Sequence, residues 1–308
     1  MAEIAFDITN IQEEKILLGD LYWHKKSGPS LIGKCGDLAN IDLISKLHSG
    51  GSVLSLDSFA NLELIQKHSK NLELLKNAED ELARVRVRKE IVQEFSDIFI
   101  NDVKNGNLID WWMICYKGFY DLPEDVENKL AGNSLILYKR ALAVSSLTVI
   151  LAMAFGYLHY DFLKDLYNAV FMTDLELLDE SNYSPSTISR LEHGRAIYLD
   201  ESVASFYVAQ SFQIKRNLKK IGIENDAIYL MLKFHHERLD SGRGPFKLFE
   251  SELNDLGTLY SFVQRIFPYK EIVCKDNDAR GLLIKHFKSQ GRFIKMKKLF
   301  EAEFKEAR

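Results

Sequence analysis

The chain has 308 residues, with 40 Lys and Arg against 44 Asp and Glu and a formal charge of -4. That balance fits one or two ordinary globular domains and gives no electrostatic case for a nucleic-acid partner. The basic run Lys288–Lys298 is followed at once by the acidic "FEAEFKEAR", the pattern of the wet face of a terminal helix. Cys35, Cys115 and Cys274 lie far apart and follow no metal or redox spacing, which points to a reducing, cytoplasmic setting. The N-terminus lacks the basic and apolar blocks of a signal sequence. The longest apolar run, "LTVILAMAFGYL" (147–158), is too short to span a bilayer and predicts a core helix, so no membrane insertion is expected.

Taken in order, residues 1–60 predict a small α/β docking or regulatory domain. Short strands in "KILLGDLYWHK", "SLIGKCG" and "GGSVLSLDS" are broken by turns, with a helical "IDLISKLHS" between the second and third. His24 and His48 stand there without catalytic partners. The segment is similar to the N-terminal regulatory pieces that precede bacterial signalling phosphodiesterases. Residues 61–122 predict a helical linker, with Leu62, Leu64, Ile65, Leu72, Leu74 and Leu75 recurring among charges. Its aromatic block "IDWWMICYKGFYDLP" puts Trp111 and Trp112 where they would seal an interdomain seam, a dimer or a protein-partner contact. From 123 to 308 strand signals are nearly absent and helical periodicity follows almost unbroken. The fold class is therefore mainly α, an all-helical C-terminal domain behind a small α/β N-terminal domain.

One stretch there carries chemistry. "FHHERLDSGRGP" (234–245) follows the helical "NDAIYLMLKF", so His235 and His236 sit at a helix C-terminus, two adjacent nitrogen donors suited to one metal or two close together. On composition alone such a pair reads as one core and one solvated histidine.

The segment resembles the motif of the HD-GYP family, His-His-Glu-x-x-Asp-Gly-x-Gly-Tyr-Pro, from the HD-domain metal phosphohydrolases whose members cleave cyclic di-GMP. His235, His236, Glu237, Arg238, Asp240 and Pro245 fall in register; Ser241 and Arg243 replace the glycines and Gly244 the tyrosine. Upstream, Ala169 to Asp174 fit the family's Ala-x-Leu-Leu-His-Asp. Thr173 then stands at the histidine, Asp174 at the aspartate and Leu177 at the lysine that follows. Gln210 falls at a further metal-binding histidine, with His193 as a substitute from a nearby loop. A last ligand is assigned to Asp255, although alignment on Pro268-Tyr269 selects Thr258.

The resemblance implies two divalent cations, iron or manganese, held by Asp174, Gln210, His235, His236 and Asp255. Asp174 would bridge them and serve catalysis, with Arg243 and Gly244 on the substrate side and cyclic di-GMP or a related nucleotide as ligand. Glu237 and Arg238 are expected to form an ion pair that orients their neighbours, and Asp240 to cap its loop. His159 and Asp161, which imitate a His-Asp pair, read as the start of a surface helix. The function the resemblance implies is a metal-dependent phosphodiesterase-like protein of cyclic di-GMP signalling with weak or absent turnover; the missing histidine and lysine keep a catalytically degenerate nucleotide sensor or protein adaptor as the alternative.

Overall fold

The computed structural model describes residues 3–5, 17, 19–33, 40–58, 62–96, 117–133, 135–173, 175, 201–237, 245–248 and 252–266. Asp174, His193, Arg243, Gly244, Trp111, Trp112, Arg238 and Asp240 lie outside them, as do the helices expected after 266. The chain divides into two compact units, residues 1–70 with 107–118, and residues 71–106 with 119–308.

The first unit is built on an antiparallel sheet of order β1-β4-β2-β3, with β1 at Glu3–Ala5, β2 at Gly19–Lys25, β3 at Gly28–Gly33 and β4 at Val53–Ser58. Helix α1 (Ile41–Ser49) lies between β3 and β4 in sequence, as the turn signals predict. Asn40 caps it, its side-chain oxygen accepting from Leu43 N at 3.0 Å. Period-2 alternation sends Leu21 and Leu54 to one face, where they bury with Leu17 and with Ile44 of α1. On β2 and β4, His24 Nε2 lies 2.6 Å from Ser55 Oγ, so His24, read from sequence as partnerless, helps tie the sheet together. β1 has no counterpart in the sequence reading, being only three residues long and paired with β4 some fifty residues away.

The described part of the second unit past residue 123 is helical, as the periodicity predicts. Helices α2 (Leu62–Asn77) and α3 (Glu81–Ser96) precede it, followed by α4 (Glu124–Asn133), α5 (Leu135–Ala154), α6 (Tyr160–Phe171), α7 (Glu201–Lys220), α8 (Asp226–Lys233) and α9 (Asp255–Ile266). α5 is the axis: α3, α4, α6 and α9 all pack on it. Its stretch Leu137–Ala154 is apolar enough by length and composition to cross a membrane, but 94% of it is buried inside the protein. A helix hydrophobic all round is one enclosed on all sides.

The ends of α5 and α7 are set by glycine. Gly156 (φ 97°) and Gly222 (φ 80°) take the left-handed conformation, and Tyr157 N and Ile223 N reach back to Ala152 O and Leu218 O to close Schellman turns. Arg88 of α3 reinforces the first, donating from Nη1 to Met153 O at 2.6 Å in a helix end where positive charge is favoured. Asn168 of α6 pins the segment before α4: its Oδ1 accepts from Asp121 N, and its Nδ2 donates to Phe119 O, both at 3.0 Å. Tyr138 donates to buried Glu127 at 2.7 Å and locks α4 on α5. His159 and Asp161 do start α6, both exposed, with Asp161 in its first turn.

Candidate functional site

α7 turns Gln210, Ile214 and Leu218 inward at helical spacing, all buried. Asn225 then starts α8 by accepting from Ala227 N and Ile228 N, and α8 runs out at Lys233, so that His235 and His236 follow directly beyond its end. Their rings lie against each other, centroids 3.8 Å apart and planes inclined at 42°. Thr173, just beyond α6, completes the layer. Gln210, His235 and His236 are thus brought together beside the residue that precedes Asp174.

The hydrogen bonds fix which atom carries each proton. Gln210 Nε2 donates to Thr173 O at 3.4 Å. A carbonyl only accepts, so the amide is oriented with Oε1 toward His236, 2.9 Å from its Nε2. His236 Nε2 therefore carries hydrogen and donates. The same logic puts hydrogen on His235 Nδ1, which donates to Leu232 O; in the neutral ring the lone pair is then on Nε2, the arrangement a ligating histidine uses. Tyr260 of α9 donates to Thr173 Oγ1 at 3.2 Å, and its ring lies 6.0 Å from that of His235.

Charge in this layer comes from Arg140 of α5, 1% exposed and among the largest fully buried side chains. It donates from Nη2 to Gln264 Oε1 on α9. Loss of water around the ring, and then the Arg140 guanidinium, depress the His236 pKa to about 3, so the imidazole is neutral at any ordinary pH.

Asp255 is exposed and opens α9, where a negative charge suits the helix N-terminus. Thr258, one turn on, is fully buried, with Oγ1 lacking a hydrogen-bond partner among the described residues. Arg238, the expected ion-pair partner of Glu237, lies outside the described residues, and Glu237 is buried. Oε1 accepts from Phe246 N at 2.6 Å and Oε2 from Leu248 N at 2.7 Å, so Glu237 pins the far end of the loop that leaves it. Burial raises its pKa, opposed by those two amides.

The described donors do not fit a binuclear cation centre. His236 spends its Nε2 proton on Gln210, and the Gln210 oxygen is occupied in return. Among the described residues no group of three or more His, Cys, Asp or Glu is placed to hold a metal. Arg140 and Tyr260 were not singled out in the sequence. Arg140 had one signal, a charge beside Lys139 in the mostly apolar 20-residue run of α5; Tyr260 had none.

No family model matches the chain, and no curated protein matches it. Among solved structures, that of "Bd1817, a HDG"Y"P protein from Bdellovibrio bacteriovorus" is similar over 94% of this chain and 95% of its own, at 17% identity and a TM-score of 0.40. Likeness at that level leaves the functional reading to this chain's own residues.

Proposed function

We propose that this chain is an HD-GYP-like protein of cyclic di-GMP signalling that works by binding, as a nucleotide sensor or protein adaptor in the cytoplasm, rather than by hydrolysis. The observation that carries the reading is the hydrogen bond from His236 Nε2 to Gln210 Oε1. Two side chains that the resemblance assigns to metal satisfy each other instead, and Gln210 is anchored in turn on Thr173. A hydrolytic site needs a coordinated water and open cation ligands. In the resemblance, Thr173 and Leu177 stand where the family has its histidine and lysine, and these replacements offer neither imidazole basicity nor phosphate-facing charge.

The second reading is the metal phosphodiesterase, favoured by His235, whose Nδ1 donates to a backbone carbonyl as in ligating histidines. Incubation of the full chain with cyclic di-GMP and Mn2+ or Fe2+ separates the two. No linear dinucleotide above a protein-free control is expected, while calorimetry registers nucleotide binding or sedimentation a change in oligomeric state. Product accumulating in proportion to protein concentration would establish the hydrolytic reading in its place. Absence of binding and of any change in assembly would remove the sensor role.

A further inference from the structure

α7 has two sides of opposite character. Gln210, Ser211, Ile214 and Leu218 are buried, whereas Phe212, Lys215, Arg216, Lys219 and Lys220 are exposed, Phe212 to 64%. At about 100° and 1.5 Å per residue, those five share an arc of about 140° over a length of about 12 Å. Beyond Glu201 at its start the helix carries no acidic residue, so in a chain of net charge -4 this face gathers four cations beside one exposed aromatic ring.

Folding accounts for only part of that arrangement. Lys219 and Lys220 lie in the last turn, where the helix dipole favours positive charge. Lys215 and Arg216 stand a turn earlier, outside that benefit, and face Lys219 and Lys220 at i, i+4, a spacing at which like charges repel. Lys215 is seated on the next helix, its Nζ 4.6 Å from the ring centroid of Tyr229.

We propose that this face of α7 docks on an anionic phospholipid surface, the cations meeting the headgroups and Phe212 entering the boundary between headgroups and acyl chains. Composition selects lipid over protein. Three of the four cations are Lys, a residue depleted in protein–protein interfaces, and its ammonium acts as a point charge that needs no partner of fixed bidentate geometry. Screening over about 8 Å at physiological salt leaves carboxylates elsewhere on the chain with little effect on this face. Docking of this kind needs no spanning segment, no metal and no nucleotide, and so it stands apart from the cyclic di-GMP reading.

The test co-sediments the full chain with vesicles of phosphatidylcholine alone or mixed equally with phosphatidylglycerol. Wild type is expected on the mixed vesicles only, and to leave them as salt is raised. Lys219→Gln/Lys220→Gln is expected to weaken binding about 25-fold, at about fivefold per cation near a charged bilayer. Phe212→Gln is expected to weaken it roughly tenfold with the salt dependence kept. Arg86→Gln/Lys89→Gln, which removes the same charge from exposed positions on α3, is expected to bind as wild type does. All five side chains face solvent, and comparable thermal midpoints check that the variants fold. Binding to neutral and mixed vesicles alike, binding to neither, or equal losses in the α3 and α7 variants would overturn the proposal. A wild-type dimer that Phe212→Gln renders monomeric would assign the face to a second copy of the chain and overturn it as well.

Discussion

Glu237→Ala is expected to lower the stability of the full chain by about 3–6 kcal/mol, two charge-assisted hydrogen bonds to amides of half-buried residues at roughly 1.5–3 kcal/mol each. Both carboxylate oxygens are engaged, one with Phe246 N and the other with Leu248 N. Removal leaves two amides to find water in an enclosed place. Phe246 also stacks edge-on against Phe234 with centroids 5.2 Å apart, so the loop's return and the end of α8 should loosen together. Glu237→Gln is expected to fall between alanine and wild type, because an amide offers one acceptor where two are needed. Chemical denaturation of the three proteins, compared at constant m-value, checks the order. Equal stability of Glu237→Ala and wild type would show that the carboxylate does not hold the loop.

Acidification provides the second large effect. His236 has a folded pKa of about 3, against about 6.5 for an unperturbed histidine. Between those values the unfolded chain binds a proton that the folded chain refuses, so stability is lost as pH falls. The slope approaches about 1.4 kcal/mol per pH unit, and the loss amounts to about 3 kcal/mol between pH 7 and pH 4. Below about 3 the folded state also takes up the proton and the dependence levels off.

Glu237 acts with the opposite sign, since its raised pKa makes the folded state hold a proton that the unfolded chain has released. The His236 contribution is therefore read as the difference between wild type and His236→Asn across the range. The variant's stability should fall less steeply from pH 6.5 to 4. Parallel profiles would mean that His236 is as readily protonated in the folded chain as in the unfolded one.

Much of the scaffold was legible because its signals are local. The 3.6-residue period gave the helices past residue 123, the short alternating runs gave β2, β3 and β4, and the helical run "NDAIYLMLKF" placed the histidine pair at a helix end. What escaped was set by distant partners. Arg140 meets Gln264 across 124 residues of sequence, and no window of periodicity contains both. The choice between Asp255 and Thr258 was ambiguous because alignment on Pro268-Tyr269 selects the threonine while the carboxylate stands one turn earlier on the same helix. Glu237, read from sequence beside an Arg238 that lies outside the described residues, accepts from backbone amides nine and eleven residues on. β1 is too short for alternation to register.

The claim on which all of this turns is that His236 gives its Nε2 hydrogen to Gln210 rather than a lone pair to a cation. Long-range proton–nitrogen correlation spectra of the histidine rings in the full chain observe that atom directly. The expected result is a protonated Nε2 and an unprotonated Nδ1 on a neutral His236 ring at pH 7, unchanged by Mg2+ or Zn2+ and altered by Gln210→Ala. An unprotonated Nε2 whose resonance moves on addition of Zn2+ would contradict it.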